Sequence, residues 1–191
     1  MGHPVHGRSS IPPPTIHQMN DGRSLVLRVV RDNNRDIPQL AEVYSKAYTA
    51  IDVGETWSPK DAMWMLLHIH RLDYSQARLA ELDGKVVGGI FPKLKPWEGG
   101  NVVMHVDEIF VDPEYQGQRI GTLLLEDAVG RAIKRGATSV ELETFAGREN
   151  PQKWYRSLGF DNPRDPELQI LAAPIDRLRE GFSAHISKEA F

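Results

Sequence analysis

The segment from Val111 to Leu125, VDPEYQGQRIGTLLL, constrains the fold more than any other part of the chain. Residues 102–111 form a long run typical of a strand, and Asp112-Pro113 then turns the chain. From Ile120 onward the apolar positions recur at helical spacing. A strand therefore passes almost directly into a helix, which is typical of an α/β protein whose helix packs back onto its sheet.

The start of this helix carries the first functional signal. The first turn of a helix leaves backbone N–H groups unpaired and carries partial positive charge. Gly117 and Gly121 would let a diphosphate approach that backbone closely, so the turn is a candidate anion site. Alone the signal is weak, because many such turns bind nothing. A dinucleotide-binding βαβ unit is disfavoured, because the turn lacks Gly-x-Gly-x-x-Gly and lies late in the chain.

Strand and helix patterns alternate along the rest of the chain, and the pattern predicts a mixed α/β sheet. Asp83-Gly84 lies between two strand-like runs and predicts a hairpin turn. The predicted strands are residues 25–30, 77–82, 86–91, 102–111, 139–145, 168–175 and 182–187, and the predicted helices begin near Asp36, Ser58-Pro59, Ile120 and Asn150-Pro151.

Residues 1–23 show neither a helical nor a strand period. The triple proline at 12–14 favours extended polyproline geometry, so we expect a disordered or loosely packed N-terminal tail. His3, His6 and His17 lie in this tail, and without an ordered scaffold they do not predict a metal site.

Composition excludes several functional classes. The chain of 191 residues has no cysteine, which excludes disulfide scaffolds, thiolate nucleophiles and cysteine zinc sites. Its formal net charge of −3 and pI of about 6.2 argue against a general nucleic-acid binder. No apolar run approaches the roughly 20 residues that span a bilayer, and no signal-peptide core is visible near residue 1. We therefore expect a cytoplasmic protein with neither nucleic acid nor membrane as a partner.

Two elements together resemble the GCN5-related N-acetyltransferase (GNAT) family. The turn Gln116-Gly117-Gln118-Arg119-Ile120-Gly121 resembles the family's acyl-CoA loop, Gln/Arg-x-x-Gly-x-Gly/Ala, with Arg119 in place of the first motif glycine. Residues 150–160, NPQKWYRSLGF, resemble the family's Asn…Tyr-x-x-x-Gly-Phe block. The resemblance covers roughly residues 25–187, although only residues 106–160 carry specific motifs.

The resemblance implies a fold, a cofactor and a domain. The fold would be a mixed, mostly antiparallel central sheet of about six or seven strands flanked by helices on both faces. Residues 24–191 would form an N-acetyltransferase domain. Acetyl-CoA would be the co-substrate, and no metal is implied. Homodimers are common in the family, so a homodimer is compatible with the resemblance.

The resemblance also implies which residues bind the cofactor. Backbone groups of the strand before the turn would pair with the pantetheine arm and polarise the thioester carbonyl. Asn150 would contact the cofactor arm, although it is an equally good helix N-cap before Pro151. Tyr155 would lie near the sulfur as a general acid; the alternative is that it merely packs beside Trp154. The implied strand residues are Ile109, Phe110 and Val111, and the implied diphosphate-binding residues are Gln116, Gly117, Gln118, Arg119, Ile120, Gly121 and Thr122.

Asp107 and Glu108 are candidates for the chemistry at the acceptor. Adjacent strand residues point to opposite faces of a sheet unless a bulge reorients them. The pair resembles the acidic pair of diamine acetyltransferases, and aminoglycoside 6′-acetyltransferases often carry an acid at this place. Asp107 is the first candidate ligand for a cationic amine and base, Glu108 is the second, and His105 or a water is an alternative base. Either carboxylate could instead pair with a surface lysine or arginine.

The resemblance implies transfer of an acetyl group from acetyl-CoA to an amine, and the absence of a cysteine that could form an acyl-enzyme agrees with direct transfer. The acidic pair favours a small cationic primary amine, polyamine- or aminoglycoside-like. Two alternatives stay open: acetylation of a protein N-terminus or lysine, and a non-catalytic acyl-CoA-binding or sensor domain. Trp57 and Trp64 fall where the resemblance places the roof of the acceptor site, although their spacing is more typical of a helix core.

Overall fold

A computed structural model describes residues 12–31, 34–51, 54–145, 149–161 and 170–188 of the chain. Helices and strands alternate along it, with single 3-10 turns at 98–100 and 113–115. The elements are β1 Thr15–Gln18, β2 Ser24–Val29, α1 Asp36–Ile51, α2 Pro59–Leu72, β3 Arg78–Leu82, β4 Lys85–Pro96, β5 Val102–Val111, α3 Ile120–Lys134, β6 Ala137–Glu143, α4 Glu149–Ser157, β7 Ile170–Pro174 and α5 Ile175–Lys188.

The strands form one seven-stranded sheet in the order β1-β2-β3-β4-β5-β6-β7. Only the β5–β6 pair is parallel among these strands, and the other neighbours are antiparallel. The prediction of a mixed, mostly antiparallel sheet is confirmed. None of the helices in the described ranges is apolar over enough of its length to cross a bilayer.

Two hydrophobic cores cover the two faces of the sheet. On one face α1 and α2 bury Leu40, Tyr44 and Leu66 against sheet residues that include Phe91 and Phe110. On the other face α3, α4 and α5 form a second core with the sheet. This core contains Leu124, Tyr155, Phe160, Leu178 and Phe182. The prediction of helices on both faces is therefore confirmed as well.

Local signals in the sequence set several of these boundaries. Ser58 caps α2, because its hydroxyl accepts a hydrogen bond from the Asp61 N–H at 3.1 Å. The β3–β4 hairpin turns through Asp83 and Gly84, both with left-handed φ angles of 52° and 77°. Both elements were predicted from these residues, and both predictions are confirmed.

Two predictions are wrong. The predicted tail at 1–23 is wrong for Thr15–Gln18, which pairs with β2 in a register that runs from Thr15↔Leu27 to Gln18↔Ser24; residues 1–11 lie outside the described ranges. The predicted strand at 182–187 lies within α5. Ile175, Leu178 and Phe182 are all buried, and their spacing of three and four residues forms one helical stripe.

Candidate active site

A β-bulge in β5 shapes the centre of the sheet. The β4–β5 register passes from Phe91↔Glu108 to Pro92↔Val106, so Asp107 is the extra residue on β5. The bulge places Asp107 and Glu108 on the same face of the sheet, where Asp107 pairs with Lys93 of β4 and Glu108 meets α1. Without the bulge, adjacent residues would point to opposite faces.

The β5–β6 ladder ends just before this bulge. Its last pair is Val106↔Leu142, whereas β5 continues to Val111 along β4. Residues 109–111 therefore keep a ladder partner on the β4 side only, among the strands described. Backbone groups on their other side face a cleft of about 1300 Å³. The end of β5 is thus an open strand edge inside a cavity, which an extended ligand could pair with.

Nearly every predicted site residue whose side chain the structure describes lines this cleft. It is bordered by α1 and the segment after it, by β5, by the turn into α3, and by α4. The predicted residues along its wall are Asp107, Glu108, Ile109, Phe110, Val111, Gln116, Gly117, Arg119, Ile120, Gly121, Thr122 and Tyr155. Gln118 is not among them, because its Oε1 accepts a hydrogen bond from Arg23 Nη2 at 3.1 Å. Asn150 lies in α4, and its side chain falls outside the described part of the chain.

Hydrogen bonds from neighbouring residues fix the turn that leads into α3. Asp112 is buried and its Oδ1 accepts the Glu114 N–H at 3.1 Å, which fixes the 3-10 turn. Gln116 Nε2 donates to the Val111 carbonyl at 3.1 Å. Gly117 has a φ of 75°, a conformation that favours glycine. Helix α3 then starts at Ile120 with its N-terminal end at the cleft, as an anion site requires.

Arg119 occupies a left-handed position, with a φ of 65°. This explains why the family pattern has glycine there, since a residue with a Cβ is strained by roughly 1–2 kcal/mol in this conformation. We expect Arg119→Gly to have a free energy of unfolding about 1 kcal/mol higher than Arg119→Ala. Both variants lose the guanidinium, so the difference isolates the backbone. Equal free energies of unfolding for the two variants in chemical denaturation would show that the backbone at residue 119 is not strained.

Glu108 is a buried carboxyl whose two oxygens each accept a tyrosine hydroxyl. Tyr44 Oη lies 3.2 Å from Oε1, and Tyr48 Oη lies 3.1 Å from Oε2. Burial raises the pKa of Glu108 to about 7, and the negative charges of Asp107 and Glu55 add to the rise, although the two hydroxyl hydrogen bonds oppose it. Glu108 therefore changes protonation near neutral pH inside the cleft.

Asp107 has a different environment from its neighbour. Its carboxylate forms an ion pair with Lys93, and His105 Nε2 lies 3.3 Å from its Oδ1. Burial opposes ionisation of Asp107, but the hydrogen bonds from His105 and Lys93 outweigh it and lower its pKa. His105 is not part of the cleft wall, because its Nδ1 faces Glu141 Oε1 at 3.0 Å. The lysine pairing considered for either carboxylate is thus found at Asp107.

Tyr155 reaches the cleft from α4 with only 7% of its surface exposed. Its ring packs against Trp154 at a centroid distance of 4.8 Å and meets the edge of Phe160 at 5.6 Å. Burial, followed by the charges of Glu108 and Tyr48, raises the pKa of the phenol, which keeps its proton at neutral pH. Tyr155 therefore packs beside Trp154 and also faces the cleft.

The aromatic and acidic wall residues from α1 and the segment after it are Tyr44, Tyr48, Glu55 and Trp57; Ala47, Ala50 and Ile51 complete this part of the wall. Tyr44 fits the core stripe of α1, so its contact with Glu108 has no separate signal in the sequence. Tyr48 follows Tyr44 at a spacing of four, which places both rings on one side of the helix. Trp57 lines the cleft, whereas Trp64 does not and is 59% exposed.

Comparison with known proteins agrees with this geometry. Residues 37–160 match the model of the acetyltransferase (GNAT) family. An uncharacterized N-acetyltransferase of Methanocaldococcus jannaschii is 32% identical over 129 residues, which cover 66% of this chain and 57% of that relative. The match thus spans little more than half the length of that relative.

Two further proteins are similar to parts of this chain. The [ribosomal protein bS18]-alanine N-acetyltransferase of Escherichia coli is 42% identical over 53 residues, which cover 28% of this chain and 36% of that enzyme. The crystal structure of the PaiA N-acetyltransferase of Thermoplasma acidophilum with coenzyme A superimposes with a TM-score of 0.63 at 19% identity, covering 78% of this chain and 98% of that one. The chain belongs to the GNAT family of acetyltransferases.

Proposed function

We propose that this protein transfers the acetyl group of acetyl-CoA directly to an amine. One observation carries the proposal: the open edge of β5, the N-terminal end of α3, Glu108 and Tyr155 all border a single cleft. These are the parts that the transfer requires, namely a strand for the cofactor arm, an anion site, a base and an acid.

The cofactor would lie along β5 and end at α3. Its pantetheine arm would pair with the backbone of residues 109–111, and its pyrophosphate would accept hydrogen bonds from the N–H groups of residues 116–122. The helix dipole adds to this attraction for an anion. A backbone N–H at Ile109 or Phe110 would stabilise the oxyanion that forms when the amine attacks the thioester. Asn150 would contact the cofactor arm.

Glu108 is the base in this proposal. An amine with a pKa near 10 is almost fully protonated at pH 7, and removing its proton costs about 4 kcal/mol. A carboxyl with a pKa of about 7 is well matched to accept that proton, directly or through water. Asp107, the first candidate from the sequence, is held by Lys93 and His105, so we assign it to shaping the site.

Tyr155 is the acid that protonates the leaving thiolate. We expect Tyr155→Phe to lower kcat by about 10-fold or more, because the ring is kept and only the proton donor is lost. The dissociation constant of acetyl-CoA should stay nearly unchanged, as measured by isothermal titration calorimetry. Turnover equal to that of the wild type would remove Tyr155 from the acid role.

The acceptor in this proposal is a small cationic primary amine, polyamine- or aminoglycoside-like. Among the described side chains of the cleft wall, Glu55, Asp107, Glu108 and Glu143 are acidic, while Arg119 of the α3 turn is basic. A second candidate is the N-terminus of a protein, which the similarity to the bS18-alanine N-acetyltransferase favours. Both acceptors offer a primary amine to the same base.

A thiol-release assay with acetyl-CoA tests the function. The candidate acceptors are polyamines, aminoglycosides, amino acids and peptides with free N-termini. We expect release with cationic amines and its loss in the Glu108→Gln variant. A protein that binds acetyl-CoA but releases no thiol with any of these amines would instead be an acyl-CoA sensor, and the proposal would be wrong.

A further inference from the structure

The part of the cleft wall that follows α1 contributes one of the acidic residues, Glu55. Glu55 follows α1, and its Oε2 accepts the indole N–H of Trp57 at 2.8 Å. This hydrogen bond orients the carboxylate and leaves its other oxygen available. No lysine or arginine in the described ranges forms an ion pair with Glu55. A carboxylate held on a cleft wall without a cation can bind one from a ligand.

An aromatic surface connects Glu55 and Glu108. The Trp57 ring meets Tyr44 edge-on at a centroid distance of 5.5 Å and Tyr48 at 6.2 Å. The two tyrosines stack on each other at 4.3 Å and donate their hydroxyls to Glu108. Aromatic rings attract alkylammonium groups as well as the methylenes between them. The wall therefore runs from Glu55 across the partly exposed rings of Trp57 and Tyr48 to Glu108, while Tyr44 is buried and supports them.

We propose that Glu55 is a specificity-determining residue that binds a second cationic group of the acceptor. One amine of the acceptor would lie at Glu108 and react, while a positive charge further along the same molecule would lie at Glu55, with the aromatic surface between them. The inference rests on the proposed function and narrows its substrate class to acceptors with two cationic groups. The second charge belongs either to a small diamine or to a basic side chain near the N-terminus of a peptide.

The expected effect is moderate because Glu55 is exposed. An exposed ion pair together with a contact to an aromatic ring corresponds to a preference of about 10-fold. Salt should reduce this preference, because exposed charge pairs are screened. The charge of Glu55 also contributes to the raised pKa of Glu108, so its loss changes the rate with every acceptor, and the ratio between two acceptors isolates the second charge.

The experiment compares kcat/KM for 1,4-diaminobutane with that for 1-aminobutane, corrected for the two equivalent amines of the diamine. The wild type should prefer the diamine by about 10-fold, and Glu55→Gln should bring the ratio close to one. Glu42→Gln is the matched control, since Glu42 is exposed on α1 outside the cleft wall and its loss changes the net charge equally. Its ratio should equal that of the wild type.

A second pair of acceptors identifies the source of the charge. Peptides with a free N-terminus carry either lysine or norleucine at the second position, and the same two variants are assayed. Dependence on Glu55 only in the peptide pair assigns the charge to a polypeptide, and dependence only in the amine pair assigns it to a diamine. If Glu55→Gln changes neither ratio while amines are still acetylated, the inference is overturned and the proposed function stands. If no amine is acetylated by the wild type, both are overturned.

Discussion

Replacing Glu108 with glutamine is expected to lower kcat/KM for amine acceptors by about 100-fold or more, the usual contribution of a general base. Glutamine keeps the size of the side chain; its amide oxygen can accept one tyrosine hydroxyl and its amide N–H can donate to the oxygen of the other, so the fold and the dissociation constant of acetyl-CoA should change little. Steady-state kinetics with a fixed amine, together with calorimetry for acetyl-CoA, measure the two quantities separately.

The pH dependence of kcat/KM in the wild type and in Glu108→Gln tests the role of Glu108 independently. Glu108 must lose its proton before it can accept one, so activity should fall as the pH drops through its pKa of about 7. In this proposal the proton that Glu108 accepts comes from the ammonium group of the acceptor, whose pKa near 10 keeps it protonated below that pH. Log kcat/KM should therefore rise with a slope of about 1 below pH 7 and level off between pH 7 and 10 in the wild type. The Glu108→Gln variant needs an amine that has already lost its proton to solvent, so it should show a slope of about 1 throughout this range.

Asp107→Asn is the comparison that can contradict this assignment. Asp107 lies next to Glu108 on the same face of the sheet, but its charge is compensated by Lys93. We expect its loss to reduce activity less and to leave the change of slope near pH 7 in place. If Asp107→Asn removes that change of slope and Glu108→Gln does not, the base is Asp107.

The second large effect is expected at Gly121, in the first turn of α3. A Cβ built at this position lies 3.5 Å from the ring of Trp154 and 3.7 Å from the Val111 side chain, and both residues line the cleft. The further carbons of a leucine would occupy the space beside the pyrophosphate. Gly121→Leu should therefore weaken acetyl-CoA binding by about 10- to 100-fold, corresponding to an overpacking cost of ~1–3 kcal/mol.

Gly121→Ala is the matched control for this variant. A distance of 3.5 Å is ordinary van der Waals contact, so the single methyl group fits without movement of Trp154. Alanine also favours the helix over glycine by about 1 kcal/mol. The alanine variant should thus bind acetyl-CoA nearly as well as the wild type and unfold at an equal or higher temperature. Unchanged affinity in Gly121→Leu would reject the location of the cofactor.

Much of the fold could be predicted from periodicity and turn residues. The strand–turn–helix junction at 102–125, the β3–β4 hairpin and the start of α2 all depend on local signals such as Asp83-Gly84 and Ser58-Pro59. Strand β1 could not be predicted in this way. It lies at the edge of the sheet with Ile16 62% exposed, so its pairing with β2 leaves no clear alternation of apolar and polar residues.

The parts of the candidate site that consist of neighbouring residues in the sequence could be predicted, but the contacts between distant segments could not. The turn at residues 116–121 and the segment around Tyr155 are short motifs, and the residues of each are adjacent in the sequence. The roles of Asp107 and Glu108 depend on long-range contacts instead: Lys93 from β4 for the first, and two tyrosines from α1 for the second. Neither contact follows from the spacing of residues on β5, and the bulge that puts both carboxylates on one face is set by the β4 register.

We expect main-chain N–H groups at the start of α3 to bind the pyrophosphate of coenzyme A. A crystal structure of the protein with coenzyme A should show phosphate oxygens within hydrogen-bond distance of N–H groups in residues 116–122, with the pantetheine arm along residues 109–111 of β5. Coenzyme A bound elsewhere, with this turn making no contact to phosphate, would contradict this expectation.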